Sequence, residues 1–159
     1  MKLLRTLILV FLFILPISLI AQEKEKEKVY NTELDGMEQL DDAIKMAKES
    51  NKHVLVQVGG NWCPWCIRFH NYSKDDPDIN KMIKDNYIVV KLNMSPENKN
   101  EKALARLEKP GRFGYPVFVI LDSRGKRVHT QDSGLLEQDK GYDKRKVLTF
   151  LKGWAPGSF

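Results

Sequence analysis

Two cysteines, Cys63 and Cys66, are the residues of this sequence best suited to carry chemistry. They are the only cysteines among 159 residues, and just two residues separate them. One pair is too few for the disulfide framework of a small secreted domain, and too few for a zinc site made of four cysteines. A single close pair can instead form and break one disulfide, which is the chemistry of thiol–disulfide exchange.

The residues around the pair predict that Cys63 is the nucleophile. The run from His53 to Val58 is short, apolar and rich in valine, which predicts a buried strand. A helix is predicted from Pro64 to about Tyr72, since proline is tolerated in the first helical turn. Cys63 would then lie at the helix N-terminus, where unpaired N–H groups and the helix dipole favour a thiolate. Cys66, one turn later on the same side, is predicted to resolve a mixed disulfide formed at Cys63.

Two tryptophans flank the sulfurs and are candidates for substrate binding together with Pro64. Trp62 and Trp65 would place flat apolar surface beside the reacting sulfur. For Trp62, a substrate contact and ordinary packing both remain open. Trp65 is predicted to be an exposed contact surface.

The elements that position the pair alternate between helices and strands. Amphipathic spacing and capping residues predict helices at 36–50, from Pro77 after an Asp76 cap, at 97–109 and at 143–154. Further strands are predicted at 87–92, 117–121 and 127–130, the last two as a hairpin, with a loop at 131–140. This order predicts one α/β domain with a mixed central sheet of about four strands, flanked by helices on both faces.

The N-terminal 21 residues have the layout of an export signal. Lys2 and Arg5 precede a continuous apolar run from Leu7 to Leu15, and cleavage is predicted after Ala21. The alternative is an uncleaved membrane anchor, for which the uncharged stretch is short and interrupted by Pro16. Residues 22–35 are predicted to be a charged leader and residues 36–159 the domain. Cleavage would lower the net charge from +5 to +3, and this mildly basic balance gives no reason to expect nucleic-acid binding.

Two motifs resemble the thioredoxin superfamily when they are taken together. The sequence GGNWCPWC follows VLVQV, and Gly114-Tyr115-Pro116 directly precedes VFVILD. More narrowly, residues 36–159 resemble secreted bacterial thioredoxin-like and disulfide-isomerase-like proteins. The resemblance implies a thioredoxin-like fold in which Pro116 is cis and lies against the active-site disulfide. It also places the Tyr115 backbone where a substrate chain would pair.

The same resemblance implies an extracytoplasmic thiol–disulfide oxidoreductase that acts on protein or peptide thiols and disulfides. The Cys63–Cys66 pair would be its redox group, with no other cofactor or metal. A membrane electron donor would recycle the pair, and the protein would be a monomer.

Two departures from thioredoxin affect the expected direction of the reaction. Gln57 stands where thioredoxin has a buried aspartate that helps proton transfer to the second cysteine, and glutamine cannot take up that proton. The dipeptide Pro64-Trp65 lacks the histidine that protein disulfide isomerase carries between its cysteines. Without that histidine a strong oxidant is not favoured, so reductase or isomerase activity is predicted.

Two other classes of function are alternatives to exchange chemistry. Cys63, Cys66 and His70 have a C-x2-C-x3-H spacing that a copper or zinc carrier could use, although no fourth ligand is evident. The second alternative is a binding module with a thioredoxin fold. Such modules usually lack one or both active-site cysteines, and this chain has both.

Overall fold

The structure is a computed structural model that describes residues 28–158, so the predicted signal lies outside the described residues. The helices are α1 (Gly36–Ser50), α2 (Pro64–Asp75), α3 (Pro77–Asn86), α4 (Glu101–Arg106) and α5 (Lys144–Gly153). The strands are β1 (His53–Gly59), β2 (Tyr87–Asn93), β3 (Val117–Leu121), β4 (Arg127–Asp132), β5 (Glu137–Gln138) and β6 (Gly141–Tyr142). Among these helices, none combines the length and apolarity that a membrane crossing requires.

The central sheet has four strands in the order β2-β1-β3-β4. β1 pairs parallel to β2, whereas β3 is antiparallel to both β1 and β4. Every residue of β1 is buried, as the continuous apolar run predicted for a central strand. The predicted α/β class and mixed four-stranded sheet are therefore confirmed.

Helices cover both faces of the sheet because side chains alternate along each strand. Val54, Val56 and Val58 face one apolar layer, which also holds the buried residues of α1 and α4. Leu55 faces the opposite layer, which is formed with α2, α3 and α5 around Phe69. This second layer lies behind the cysteine pair and fixes the helix that carries it.

Most predicted elements are confirmed, but α4 is shorter than predicted. Its predicted start at Glu97 is wrong, because Asn100 adopts a left-handed backbone with φ 49° and the helix begins only at Glu101. The side chain of Asn93 donates to the carbonyl of Asn98 and holds the preceding residues as a loop. The predicted end at Lys109 is also wrong, since Lys109 itself has φ 53°.

The predicted loop at 131–140 contains regular structure. β4 continues to Asp132, whose side chain caps a short 3-10 turn at Ser133–Leu136. β5 and β6 then form a two-stranded hairpin. This arrangement places Tyr142 against α2 in the layer behind the cysteine pair.

Residues assigned to the charged leader pack onto the domain. The side-chain amide of Asn61 accepts from the Tyr30 N–H at 2.9 Å and donates to the Tyr30 carbonyl at 2.7 Å. Asn98 donates in turn to the carbonyls of Thr32 and Leu34, at 3.0 Å each. The segment before α1 is thus fixed by hydrogen bonds from two asparagines of the domain.

Candidate active site

Cys63 and Cys66 form a disulfide at the N-terminus of α2, with their Cα atoms 5.2 Å apart. Cys63 is the N-cap, and its Sγ accepts a hydrogen bond from the backbone N–H of Cys66 at 3.2 Å. Pro64 occupies the first helical turn, where its missing N–H removes no helical hydrogen bond. The helix therefore offers an N–H and the positive end of its dipole to a thiolate at Cys63.

The two cysteines differ in exposure to solvent. Cys66 is fully buried, while Cys63 keeps 3% of its surface exposed. The attacking sulfur of an exchange reaction must reach a substrate disulfide, whereas the resolving sulfur needs only to reach its neighbour. Access therefore supports the predicted roles of Cys63 as nucleophile and Cys66 as resolving residue.

Trp62 and Tyr115 form an aromatic edge beside the disulfide. Trp62 is 51% exposed, and its ring meets that of Tyr115 edge to face with centroids 5.4 Å apart. Its Nε1 donates to the carbonyl of Met94 at 2.8 Å, which holds the indole in place. Tyr115 also packs against the cluster that contains both cysteines. The Tyr115–Pro116 peptide is cis, as predicted, and Pro116 is buried.

Trp65 differs from the prediction that it is an exposed contact surface. The residue is only half-exposed, and its ring meets Tyr142 edge to face at 5.6 Å. The Arg68 guanidinium covers the ring at 4.4 Å from its centroid. The Trp65 carbonyl also accepts from the Tyr142 hydroxyl at 3.2 Å. Trp65 thus packs α2 onto the β5–β6 hairpin, and Trp62 is the tryptophan that faces solvent.

A cleft of about 600 Å³ opens next to Trp62. Its walls come from the segment before α1, the two residues before Cys63, and the end of β2 with the loop that follows it. The lining residues are Thr32, Asn61, Trp62, Asn93, Met94, Ser95, Pro96, Glu97 and Lys99. The cleft provides concave, largely apolar surface directly beside the residue that precedes Cys63.

Gln57 lies buried behind Cys66 and is linked to a lysine. Its Nε2 donates to the Cys66 carbonyl at 3.0 Å, and its Oε1 accepts from Nζ of Lys91, its partner across the parallel β1–β2 pair. Burial lowers the pKa of Lys91 to about 8. The position that carries an acid in thioredoxin thus carries an amide next to a buried amine.

Tyr30 is a site residue that sequence reasoning missed. It is 1% exposed and forms one cluster with the two cysteines. The sequence gives little signal for it, because the preceding residues are a charged run with no apolar periodicity. Tyr30 lies inside the stretch predicted to be a charged leader, so the sequence does not indicate its contacts with the domain.

The third member of the possible metal motif does not complete a site. His70 is half-buried on the wall of a separate cleft that it shares with Gln57 and Lys91. Within residues 28–158, no three His, Cys, Asp or Glu side chains are grouped closely enough to hold a metal ion. The described part of the chain therefore brings together the cysteines, the aromatic edge and Gln57, and no third metal ligand joins the cysteines there.

The chain is similar to known thioredoxin-like proteins in sequence and in fold. The family model described as "Thioredoxin-like domain" matches residues 40–142, well over half of the chain. The thiol:disulfide interchange protein DsbD of Photorhabdus laumondii is 29% identical over 83 residues, which is 52% of this chain and 14% of that protein. DsbD of Escherichia coli K12 is 26% identical over 94 residues, 59% of this chain and 16% of that protein. The chain thus spans about one sixth or less of the length of these relatives.

Solved structures share the fold at low sequence identity. A disulphide isomerase from Xylella fastidiosa superposes with a TM-score of 0.69 at 23% identity, over 79% of this chain and 95% of that one. The C-terminal domain of Neisseria meningitidis DsbD in its reduced form gives a TM-score of 0.52 at 18% identity, over 74% and 96% of the two chains. A Thermus thermophilus thioredoxin gives 0.51 at 19% identity, over 70% and 79%.

Proposed function

Because this chain belongs to the thioredoxin-like domain family, we propose that it is an exported thiol–disulfide oxidoreductase that reduces or isomerises protein disulfides. The observation that carries the proposal is the placement of Cys63. It caps α2, forms a disulfide with a buried Cys66, and lies beside a solvent-facing aromatic edge. The names of the DsbD relatives and of the Xylella isomerase describe the same type of chemistry.

The reaction follows from the positions of the two sulfurs. The Cys63 thiolate attacks one sulfur of a substrate disulfide, whose S–S bond breaks and whose other sulfur leaves and takes up a proton. Cys66 then gives up its proton and attacks Sγ of Cys63. The second substrate thiol is released and the Cys63–Cys66 disulfide forms. Two electrons pass from the enzyme to the substrate. Of the two protons that the substrate thiols take up, one comes from Cys66 and one from solvent, which received the Cys63 proton when that thiol ionised.

The direction of this exchange depends on how strongly the reduced pair is stabilised. Pro64 and Trp65, the two residues between the cysteines, carry no positive charge. In the described residues, Cys63 Sγ accepts from one backbone N–H. Modest stabilisation of the thiolate supports a reducing or isomerising role, after which a membrane electron donor would restore the dithiol.

Location and substrate binding complete the proposal. Export to the periplasm or another extracytoplasmic space is supported by the basic and apolar pattern of residues 1–21. The Tyr115 backbone and the cleft beside Trp62 provide the surface on which an unfolded substrate segment would lie. We expect Trp62, Pro64 and Pro116 to limit which substrate disulfides reach Cys63.

The proposal predicts catalysed reduction of a protein disulfide. Residues 22–159 at micromolar concentration should accelerate the reduction of insulin by dithiothreitol, measured as the precipitation of the released chains. The matched control is the Cys63→Ala, Cys66→Ala double variant, which should show only the rate of dithiothreitol alone. Equal rates for the two proteins would refute the proposal.

A further inference from the structure

The Tyr30 hydroxyl is a buried polar group that the folded, oxidised protein leaves unpaired. No hydrogen-bond partner for its oxygen is present in the described part of the chain. Gln57 lies near enough to influence the phenol, but an amide nitrogen can only donate, so it cannot accept the O–H of Tyr30. A buried hydroxyl without a hydrogen-bond partner lowers the stability of the folded protein, so its position beside the redox-active disulfide needs a physical explanation.

The hydroxyl lies close to the sulfur of Cys66. A Cβ atom added to Gly59 would be 2.4 Å from Cys66 Sγ and 2.9 Å from the Tyr30 oxygen. The Cys66 sulfur and the Tyr30 oxygen therefore both lie next to Gly59, and the distance between them cannot exceed the sum of those two distances. A side chain at position 59 would occupy the space beside both atoms, so the glycine allows the Tyr30 hydroxyl to lie close to the Cys66 sulfur.

The phenol is also held there and kept protonated. Two hydrogen bonds between the Asn61 side chain and the Tyr30 backbone fix that backbone, and Asn61 lies two residues before Cys63. Burial raises the pKa of Tyr30 far above its ordinary value, so the hydroxyl remains an O–H donor under physiological conditions. A fixed O–H donor close to a sulfur that carries no negative charge in the disulfide would gain a stronger acceptor when the pair is reduced.

We propose that the Tyr30 hydroxyl donates a hydrogen bond to Cys66 Sγ when the disulfide opens, and thereby stabilises the reduced pair. The inference rests on the proposed function and adds a positioning residue from the segment before the domain. Opening requires a partner dithiol, which supplies two electrons and two protons and becomes a disulfide while the Cys63–Cys66 bond breaks. Cys66 then becomes a better acceptor for the O–H of Tyr30, which keeps its own proton.

The test is the redox equilibrium of Tyr30→Phe with glutathione at pH 7. Loss of one hydrogen bond to the sulfur should shift the equilibrium about tenfold toward the disulfide, or about 30 mV to a more negative potential. The oxidised variant should unfold at the same temperature as wild type or higher, because no hydroxyl is left unpaired. The reduced variant should unfold at a lower temperature than reduced wild type.

Tyr87→Phe is the matched control, since the Tyr87 hydroxyl is buried and donates to the Leu151 carbonyl at 2.6 Å. Its loss should destabilise both redox forms equally and leave the potential unchanged. Asn61→Ala is a second test of the same contact. It removes the two hydrogen bonds that hold the Tyr30 backbone, so it should shift the reduction potential in the same direction as Tyr30→Phe.

A Tyr30→Phe potential within the scatter of the Tyr87→Phe control, or a shift to a more positive value, would overturn the proposal. Equal destabilisation of its oxidised and reduced forms would do the same. These readouts use only the equilibrium of the disulfide. They therefore remain interpretable even where wild-type protein fails to catalyse insulin reduction, which is the separate failure of the proposed function.

Discussion

Cys66→Ala is expected to convert the protein into a trap for its substrates. The variant keeps the attacking sulfur at the helix N-terminus, so Cys63 still forms a mixed disulfide. It lacks the buried sulfur that would displace the substrate, so the covalent complex should accumulate. Expressed in its own host and alkylated before lysis, the variant should run as thiol-sensitive higher-mass species on a non-reducing gel.

Cys63→Ala is the matched control for this experiment. Its remaining sulfur, Cys66, has no exposed surface and does not lie at the helix N-terminus, so it should capture few or no partners. Both variants should lose insulin reductase activity down to the rate of dithiothreitol alone. Equal trapping by the two variants would show that the assignment of nucleophile and resolving residue is wrong.

Phe69→Ala is expected to have the largest effect on stability. Phe69 is 1% exposed, and its ring packs against Phe118 at 4.4 Å and Tyr142 at 5.1 Å between centroids. It is the side chain that fixes α2 to the sheet behind the cysteine pair. Truncating a buried phenylalanine to alanine should lower the free energy of unfolding by about 3–5 kcal/mol, measured by denaturant titration of the oxidised protein.

Leu135→Ala serves as the comparison, because Leu135 is 68% exposed and its truncation should change stability by no more than about 0.5 kcal/mol. Phe69→Leu, which keeps more of the buried volume, should fall between the two. Should Phe69→Ala unfold with nearly the wild-type free energy, the packing beneath α2 would not be what holds the cysteine pair in place.

The sequence was most informative where one local pattern determines one local structure. The valine-rich run predicted β1, and Asp76-Pro77 predicted the start of α3, because burial and capping each leave a direct trace in the residue types. The cysteine pair at the start of a helix and the cis bond before Pro116 were likewise predicted from motifs. The active-site frame could thus be anticipated without coordinates.

What the sequence could not show are contacts between residues distant along the chain. Tyr30 reaches the disulfide through Asn61, 31 positions away, and Lys91 reaches Gln57 through the pairing of two strands. The packing of Trp65 under Arg68 and against Tyr142 depends on a hairpin in a stretch that has no strand-like periodicity. Each of these features depends on the tertiary arrangement of elements and not on local preference.

The most direct test of the account is the reduction potential of the Cys63–Cys66 pair, measured by equilibration with glutathione and quantification of free thiols. A working pair with a reducing or isomerising role should have a midpoint between about −270 and about −180 mV, the values of thioredoxin and protein disulfide isomerase. A midpoint near about −120 mV would contradict the proposed direction. A midpoint below about −300 mV, typical of an inert structural disulfide, would contradict the claim that this pair is the redox centre.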